Sequence, residues 1–406
     1  MAALISRRRF LARSSLLGCS LAASPLVTPI TLAALPGDAR LVVIILRGGM
    51  DGLDVVRPVG DPSFAALRPG LSDPSGTLPL DGFFAMNAHL PDLAPLWNSG
   101  ELAFAHAVST PYRDKRSHFD GQDLLEAGTG MDVEIGQRRN GWLNRMLQTM
   151  PGVSAKTAFA VGREDLIILN GAAPVSSWSP EARMDLSPQG RRILEALYHD
   201  DPLFREAGEL AGDLVEELDL AMDDGSETSE MVMSQMQNAG RAARARALAR
   251  FAAERMNEET RIAAFSIGGW DTHRTQQNGI KRALGELSDA ILTLRETLGE
   301  NWSRTSVLAM TEFGRTARQN GSGGTDHGTA GAMVMAGGAI RGGRVYGDWP
   351  GLGEGQLYQD RDLMPTRDVR SFAGHAIRGL FGFDKGLIEN NIFPGLDMGR
   401  DPRILL

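Results

Sequence analysis

The sequence predicts an α/β protein with a mostly parallel central sheet flanked by helices and interrupted by a helical insertion. Three observations predict it. Continuous apolar runs, of which LVVIIL at 41–46 is the strongest, read as strands buried on both faces, the habit of parallel sheets. Helical patterns alternate with these runs, as they do where a parallel sheet carries helices on both sides. From about 190 to 257 the alternation stops, and helical spacing continues with no strong strand.

The elements follow in order. Ser6, Arg7, Arg8, Phe10 and Leu11 make the S-R-R-x-F-L pattern of a twin-arginine export signal, followed by a mildly apolar stretch at 16–34. Pro25 and Pro29 oppose a folded helix there. Cleavage is expected near Ala33 and Ala34, with Ala22, Ala23 and Ser24 as a second candidate. The signal peptide therefore spans 1–34. A single domain is expected over 35–406, delivered by the twin-arginine translocation machinery to the periplasm or another extracytoplasmic space.

With 406 residues, 42% hydrophobic and 23% charged, the chain has the composition of a globular protein. Its formal charge is −8, and the signal holds four arginines and no acid, so the mature chain carries −8 − 4 = −12. Such a chain is a poor partner for nucleic acid, whose phosphates require a basic face. The one cysteine, Cys19, lies in the signal, which excludes disulfides, thiolate metal sites and cysteine nucleophiles from the mature part. Past the signal no apolar run is long enough to span a bilayer.

The first strand, 41–46, ends in RGGMDG. Segments 158–161 and 165–169 are weaker strand candidates. A second buried strand at 262–267 ends in GGWDTH. Leu284, Leu287, Ile291, Leu294 and Leu298 recur at helical spacing over 280–298 and lead into a strand at 306–310, which ends in TEFGRT. A further strand at 332–336 follows GTDHG.

Ligands of open α/β sheets bind beyond the carboxyl ends of the strands, and Asp51, Asp271 and Glu312 each stand just past such an end. Asp271 with His273, and Asp326 with His327, add imidazoles to the carboxylates. Together they form a candidate site for one or two divalent ions, and their nitrogen and oxygen donors suit Zn, Mn or Fe. A metal also relieves the repulsion between clustered carboxylates. Ser117 opens a predicted helix with Asp120 three residues on, the spacing of a helix cap. The same hydroxyl, with Arg113, Lys115 and Arg116 before it, is a candidate nucleophile facing a phosphate or sulfate; His118 is a candidate ligand or general acid. His89 and His106 read as packed residues, His199 as solvated, and His375 as a reserve ligand. Neither a G-x-G-x-x-G or Walker pattern nor a G-x-S-x-G elbow is present.

The export signal, RGGMDGLD, RSHFDGQD, GGWDTH, TEFGRT and GTDHG together resemble the bacterial family called domain of unknown function 1501, over nearly all of the chain past the signal. That family is grouped with the alkaline phosphatase and sulfatase superfamily, so the resemblance implies an alkaline phosphatase-like fold. It implies Asp51 as the metal aspartate after the first strand, Ser117 as the nucleophile, and Asp271 with His273 as a metal pair, here spaced Asp-x-His instead of Asp-x-x-x-His. Two registrations compete for the remainder. In one, Asp326 and His327 are an adjacent metal pair. In the other, which keeps the order strand, acid, loop, histidine, strand, Glu312 follows the strand and His327 is the later lone ligand; Phe313 then stands where a metal-binding histidine is expected. The implied function is an exported metal-dependent hydrolase of phosphate or sulfate esters. Its alternative is a catalytically degenerate metal-binding or envelope-binding protein of the same fold.

Overall fold

The computed structural model describes residues 38–133, 140–162, 166–178 and 241–406. The export signal, His199 and the 190–240 part of the expected insertion lie outside the described residues. In chain order the principal elements are β1 (Arg40–Leu46), β2 (Leu102–Ser109), α1 (His118–Ala127), α2 (Trp142–Gln148), β3 (Ala158–Val161), β4 (Ser176–Trp178) and α3 (Arg241–Met256). There follow β5 (Ile262–Ile267), α4 (Gln276–Leu298), β6 (Thr305–Met310), β7 (Gly331–Ala336), β8 (Arg344–Tyr346), β9 (Arg367–Asp368) and α5 (Val369–Phe381).

The strands form one sheet in the order β8-β2-β7-β6-β1-β5-β3-β4, with β9 also pairing with β2. At its centre β1 is parallel to both neighbours, Val43 standing opposite Ala264 of β5 and Leu308 of β6. All seven β1 residues are buried. Val42, Ile44 and Leu46 pack with Ala249 and Ala252 of α3 and with Leu284, Leu287 and Ile291 of α4. Leu41, Val43 and Ile45 pack on the other face with Trp142 and Met146 of α2 and Phe372 and Ala376 of α5. Burial on both faces is why an unbroken run of β-branched residues, not an alternating one, was required here. Each such aliphatic side chain contributes about 1.5–3 kcal/mol of transfer free energy.

One sequence expectation is corrected and one strand is added. The 165–169 segment is not a strand in its described part: Ile167–Leu169 is a 3-10 turn, in which the Ile168 amide donates to Glu126. The turn lies against Gly141, where a Cβ would meet the Ile167 and Ile168 carbonyl oxygens at 2.1 Å. Conversely, β2 was not predicted. Its sequence, LAFAHAVS, is rich in alanine and carries a histidine, so local propensity is weak; pairing with β7 and β8 decides its conformation.

Strand β7 runs antiparallel to both β6 and β2, against the direction of the rest of the sheet. Its start therefore lies at the edge where β1, β2, β5 and β6 end. The loop before β7 is brought to the same edge as the loops after those four strands.

Candidate metal centre

Four loops meet at this edge because glycines let their backbones touch. A Cβ on Gly48, after β1, would stand 2.6 Å from the Asp271 amide nitrogen, and one on Gly324 would stand 2.3 Å from the Thr272 carbonyl oxygen. Arg315 ties the loops together. Buried to 1% exposure, its guanidinium donates to the carbonyls of Gly48, Gly49, Trp270 and Thr325 and to Asp271 Oδ1 at 2.7 Å.

Glu312 follows β6 and is fully buried. Its Oε1 accepts from the Gly48 amide at 2.9 Å and Gln122 Nε2 at 3.1 Å, and lies 2.7 Å from His118 Nδ1. Burial opposes ionisation, but the hydrogen bonds from His118, its own backbone amide and Gln122 outweigh it, and the carboxyl stays below its ordinary range. Glu312 thus orients His118.

A carboxylate can only accept, so His118 Nδ1 carries the proton and Nε2 presents a lone pair. That Nε2 is buried and has no hydrogen-bond partner among the described residues; Asp271 Oδ2 is 3.5 Å away. The pattern repeats. His327 Nδ1 donates to the Arg116 carbonyl at 2.9 Å, and His273 Nδ1 faces Asp326 Oδ1 at 3.2 Å, so these two rings also turn Nε2 inward. The Nε2 atoms of His273 and His327 are 2.9 Å apart, and they lie 3.1 and 3.5 Å from Asp271 Oδ1.

His118, Asp271 and His327 offer ligand atoms that lie within 4.8 Å of one another, a group able to hold a metal ion. Tetrahedral zinc with bonds of about 2.0–2.1 Å sets its donors roughly 3.3 Å apart, and the separations around Asp271 bracket that value. The residues fit a divalent ion. Each imidazole also has the acceptor on its far nitrogen that holds a metal-binding histidine in orientation. Burial, against the opposing hydrogen bond to the Arg116 carbonyl, holds His327 below the ordinary histidine range and keeps it neutral, as a ligand must be. Burial disfavours the Asp271 anion too, but Arg315 outweighs it and that carboxyl is held low.

Of the predicted residues, the structure gathers His118, Asp271, His273, Glu312, Asp326 and His327. Asp51 goes elsewhere. Its Oδ2 meets Arg68 Nη1 at 2.6 Å and Gln276 Nε2 at 2.5 Å, with both members of the ion pair buried. Ser117 caps α1, its hydroxyl accepting a long 3.4 Å bond from the Asp120 amide. Arg113 turns inward and donates to the carbonyls of Thr110 and Tyr112, so it builds its loop; burial lowers its pKa. Lys115 and Arg116 are exposed. The ring of Phe313 lies stacked on His118 at 5.0 Å and tilted against His327 at 5.1 Å, an apolar floor beneath the imidazoles. Arg68, Gln122, Gln276 and Arg315 were not singled out from sequence. The signal for Arg315 was its place in TEFGRT, three residues past Glu312.

Solved structures similar to this chain include the integral membrane protein lipooligosaccharide phosphoethanolamine transferase A from Neisseria meningitidis, at 12% identity and a TM-score of 0.35. That match covers 93% of this chain but only 62% of the transferase. The lipoteichoic acid synthase LtaP from Listeria monocytogenes is similar at 10% identity and a TM-score of 0.37, over 89% of this chain and 75% of that one. A protein in the alkaline phosphatase superfamily from Vibrio parahaemolyticus is similar at 12% identity and a TM-score of 0.36, over 85% of this chain and 67% of that one. No curated protein matches the sequence. A family model does, over residues 93–378 and thus more than half of the chain, and it takes in all six of the gathered residues, His118 among them. The chain belongs to the family described as protein of unknown function DUF1501.

Proposed function

We propose that the protein is an exported hydrolase of phosphate or sulfate esters that uses one divalent transition metal, of the zinc type, held by His118, Asp271 and His327. The observation that carries this reading is the common orientation of the three imidazoles. With Nδ1 committed to Glu312, Asp326 and the Arg116 carbonyl, every Nε2 lone pair converges on Asp271. When bound, the ion supplies Lewis acidity toward an ester oxygen or water.

The chain's own residues do the rest. Glu312 and the Arg116 carbonyl fix the two half-buried rings, and Phe313 excludes water from beneath them. Lys115 and Arg116 attract the anionic ester at the rim. Ser117 Oγ, at the N-terminus of α1, is the attacking group, in a position where the helix end favours negative charge. His273, the most exposed of the three rings, stands on the open side.

A second reading, a metal-binding protein without turnover, is favoured by the Asp51–Arg68 pair, in which the arginine already offsets the Asp51 charge. The two readings part in one experiment. Residues 35–406 are purified, metal content is measured, and a panel of aryl phosphate and sulfate esters is assayed with and without chelator. About one ion per chain, with turnover lost on chelation and restored by metal, supports the hydrolase. A loaded protein inert to the panel selects the second reading, and a metal-free one that refuses zinc sinks the site. Export is tested separately: Arg7→Lys with Arg8→Lys leaves unprocessed precursor in the cytoplasm, whereas normal processing overturns the twin-arginine route.

A further inference from the structure

Phe119 follows His118 directly, and its side chain is 81% exposed. Among the described residues the other exposed large hydrophobic side chains are Val59, Met131 and Leu406, so Phe119 is the one aromatic ring of that exposed group. Capping does not ask for it: Ser117 supplies the cap and Asp120 the acid of the first turn. Nor does the core. The apolar cluster nearest in sequence, Tyr112, Leu124 and Phe313, closes without it.

The loop before Phe119 is held in an uncommon backbone. Asp114 and Arg116 adopt φ of 66° and 53°, left-handed values that cost energy in residues with a Cβ. Two contacts hold it there: Asp114 Oδ1 accepts from Gln359 Nε2, and the Arg116 carbonyl accepts from His327. The consequence is that one short segment presents two exposed cations, Lys115 and Arg116, a metal-site imidazole, His118, and an exposed phenyl ring, Phe119.

We infer that the substrate is an anionic ester whose organic part is apolar, an aryl or extended alkyl group, with Phe119 as the residue that selects it. The inference rests on the proposed site and adds its specificity. Lys115 and Arg116 meet the anion, and the phenyl ring receives the apolar group that the ester carries away from the metal. An exposed ring gains affinity only from a ligand that removes it from water, so the preference is set by the organic part and not by the anion. Because the mature chain is acidic, a soluble ester fits better than a lipid embedded in an anionic bilayer.

The test uses zinc-loaded protein and two phosphonates that cannot be hydrolysed. Phenylphosphonate is expected to bind about tenfold more tightly than methylphosphonate, the gain of burying two apolar faces. In Phe119→Ser the preference should fall below about twofold while methylphosphonate binding and melting temperature hold, since an exposed ring can be removed without opening the core. Lys115→Gln with Arg116→Gln should weaken both ligands alike, most strongly at low salt. Equal binding of the two phosphonates by the wild type, or a preference that survives Phe119→Ser, overturns the inference and leaves the metal site standing. Binding of neither by zinc-loaded protein overturns the anionic-ester reading as well. Sedimentation with phosphatidylglycerol vesicles that is lost in Phe119→Ser overturns the choice of a soluble ester in favour of a lipid.

Discussion

The Nε2 atoms of His273 and His327 face each other at 2.9 Å, and neither ring in its neutral form has a proton to offer, because both Nδ1 positions donate outward. Two lone pairs at that distance repel unless a cation lies between or beside them. The contact gives the clearest expectation for the site: one zinc or cobalt ion per chain. His118→Ala and His327→Ala should each lose affinity by more than about a hundredfold, while His273→Ala, on the open side, should lose about tenfold and alter the cobalt absorption spectrum. Equal loss in all three variants would make His273 a full ligand. No loss in any would return the cluster to a solvated loop.

Glu312 separates an orienting role from a ligand role. Glu312→Gln keeps an acceptor for Gly48, Gln122 and His118, which all meet Oε1, but removes the negative charge behind the His118 ring and sets an amide group against Thr311 Oγ1 at the Oε2 position. Metal affinity is expected to fall about 10–100-fold with stoichiometry unchanged at saturating zinc, the effect of losing a partner behind a ligand. Calorimetric titration checks this. Unchanged affinity would show that His118 holds its orientation without Glu312.

The Asp51–Arg68 pair is fully buried, and Arg68 also donates to the carbonyls of Thr316 and Ala317. Arg68→Met leaves the Asp51 charge buried without its partner and should cost about 3–5 kcal/mol. The double variant Asp51→Asn with Arg68→Met should recover part of that loss, because the charge is gone as well. Denaturant unfolding measures both. Metal content should be the same in wild type and the double variant; a drop of one ion would place a metal at Asp51 after all.

The strand ends could be located from sequence because apolar runs mark strands without help from the rest of the fold. Asp271, Glu312 and the neighbouring histidines were therefore legible as a group. Which of them touch was not. Asp51 stands past a strand end like the other acids, but its contact with Arg68, a residue of a loop 17 positions on, is one that no local pattern announces. Nor does any local pattern tell that Glu312 lies fully buried behind His118, with Oε1 on the Nδ1 of its ring. Strand β2, which delivers the Ser117 loop, was missed because alanines and His106 weaken its local pattern. The antiparallel turn of β7 was equally hidden, since direction is set by pairing and not by the residues of one strand.

His106 gives the pH expectation. It is fully buried on β2, where Nε2 donates to the Val56 carbonyl and Nδ1 accepts from the Ala107 amide, and desolvation lowers its pKa to about 4. In the unfolded chain it returns to about 6.5. Between those values the unfolded state binds a proton that the native state refuses, so stability is full above pH 6.5 and falls as pH drops toward 4. The loss from this group is about 3 kcal/mol across the window, at 1.36 kcal/mol per unit. Unfolding of the metal-free protein at pH 7 and pH 4, compared with His106→Gln, isolates it. A wild type that loses no more than the variant would mean that His106 already accepts a proton in the fold.

Ser117 has two roles that demand different side chains. As the cap of α1 it needs only an oxygen that accepts from the Asp120 amide, and at 3.4 Å that bond is long. Ser117→Ala should therefore cost no more than about 1 kcal/mol, and Ser117→Asp should be tolerated or slightly stabilising, since a carboxylate caps as well and favours the helix N-terminus. As the attacking group it needs a hydroxyl that can lose its proton and form a covalent ester, which neither variant has. Both should then bind zinc normally, and Ser117→Ala should bind phosphonate normally as well, yet neither should turn over an ester. If an ester is found and Ser117→Ala hydrolyses it at the wild-type rate, the residue is a cap alone and attack must come from water polarised at the metal centre.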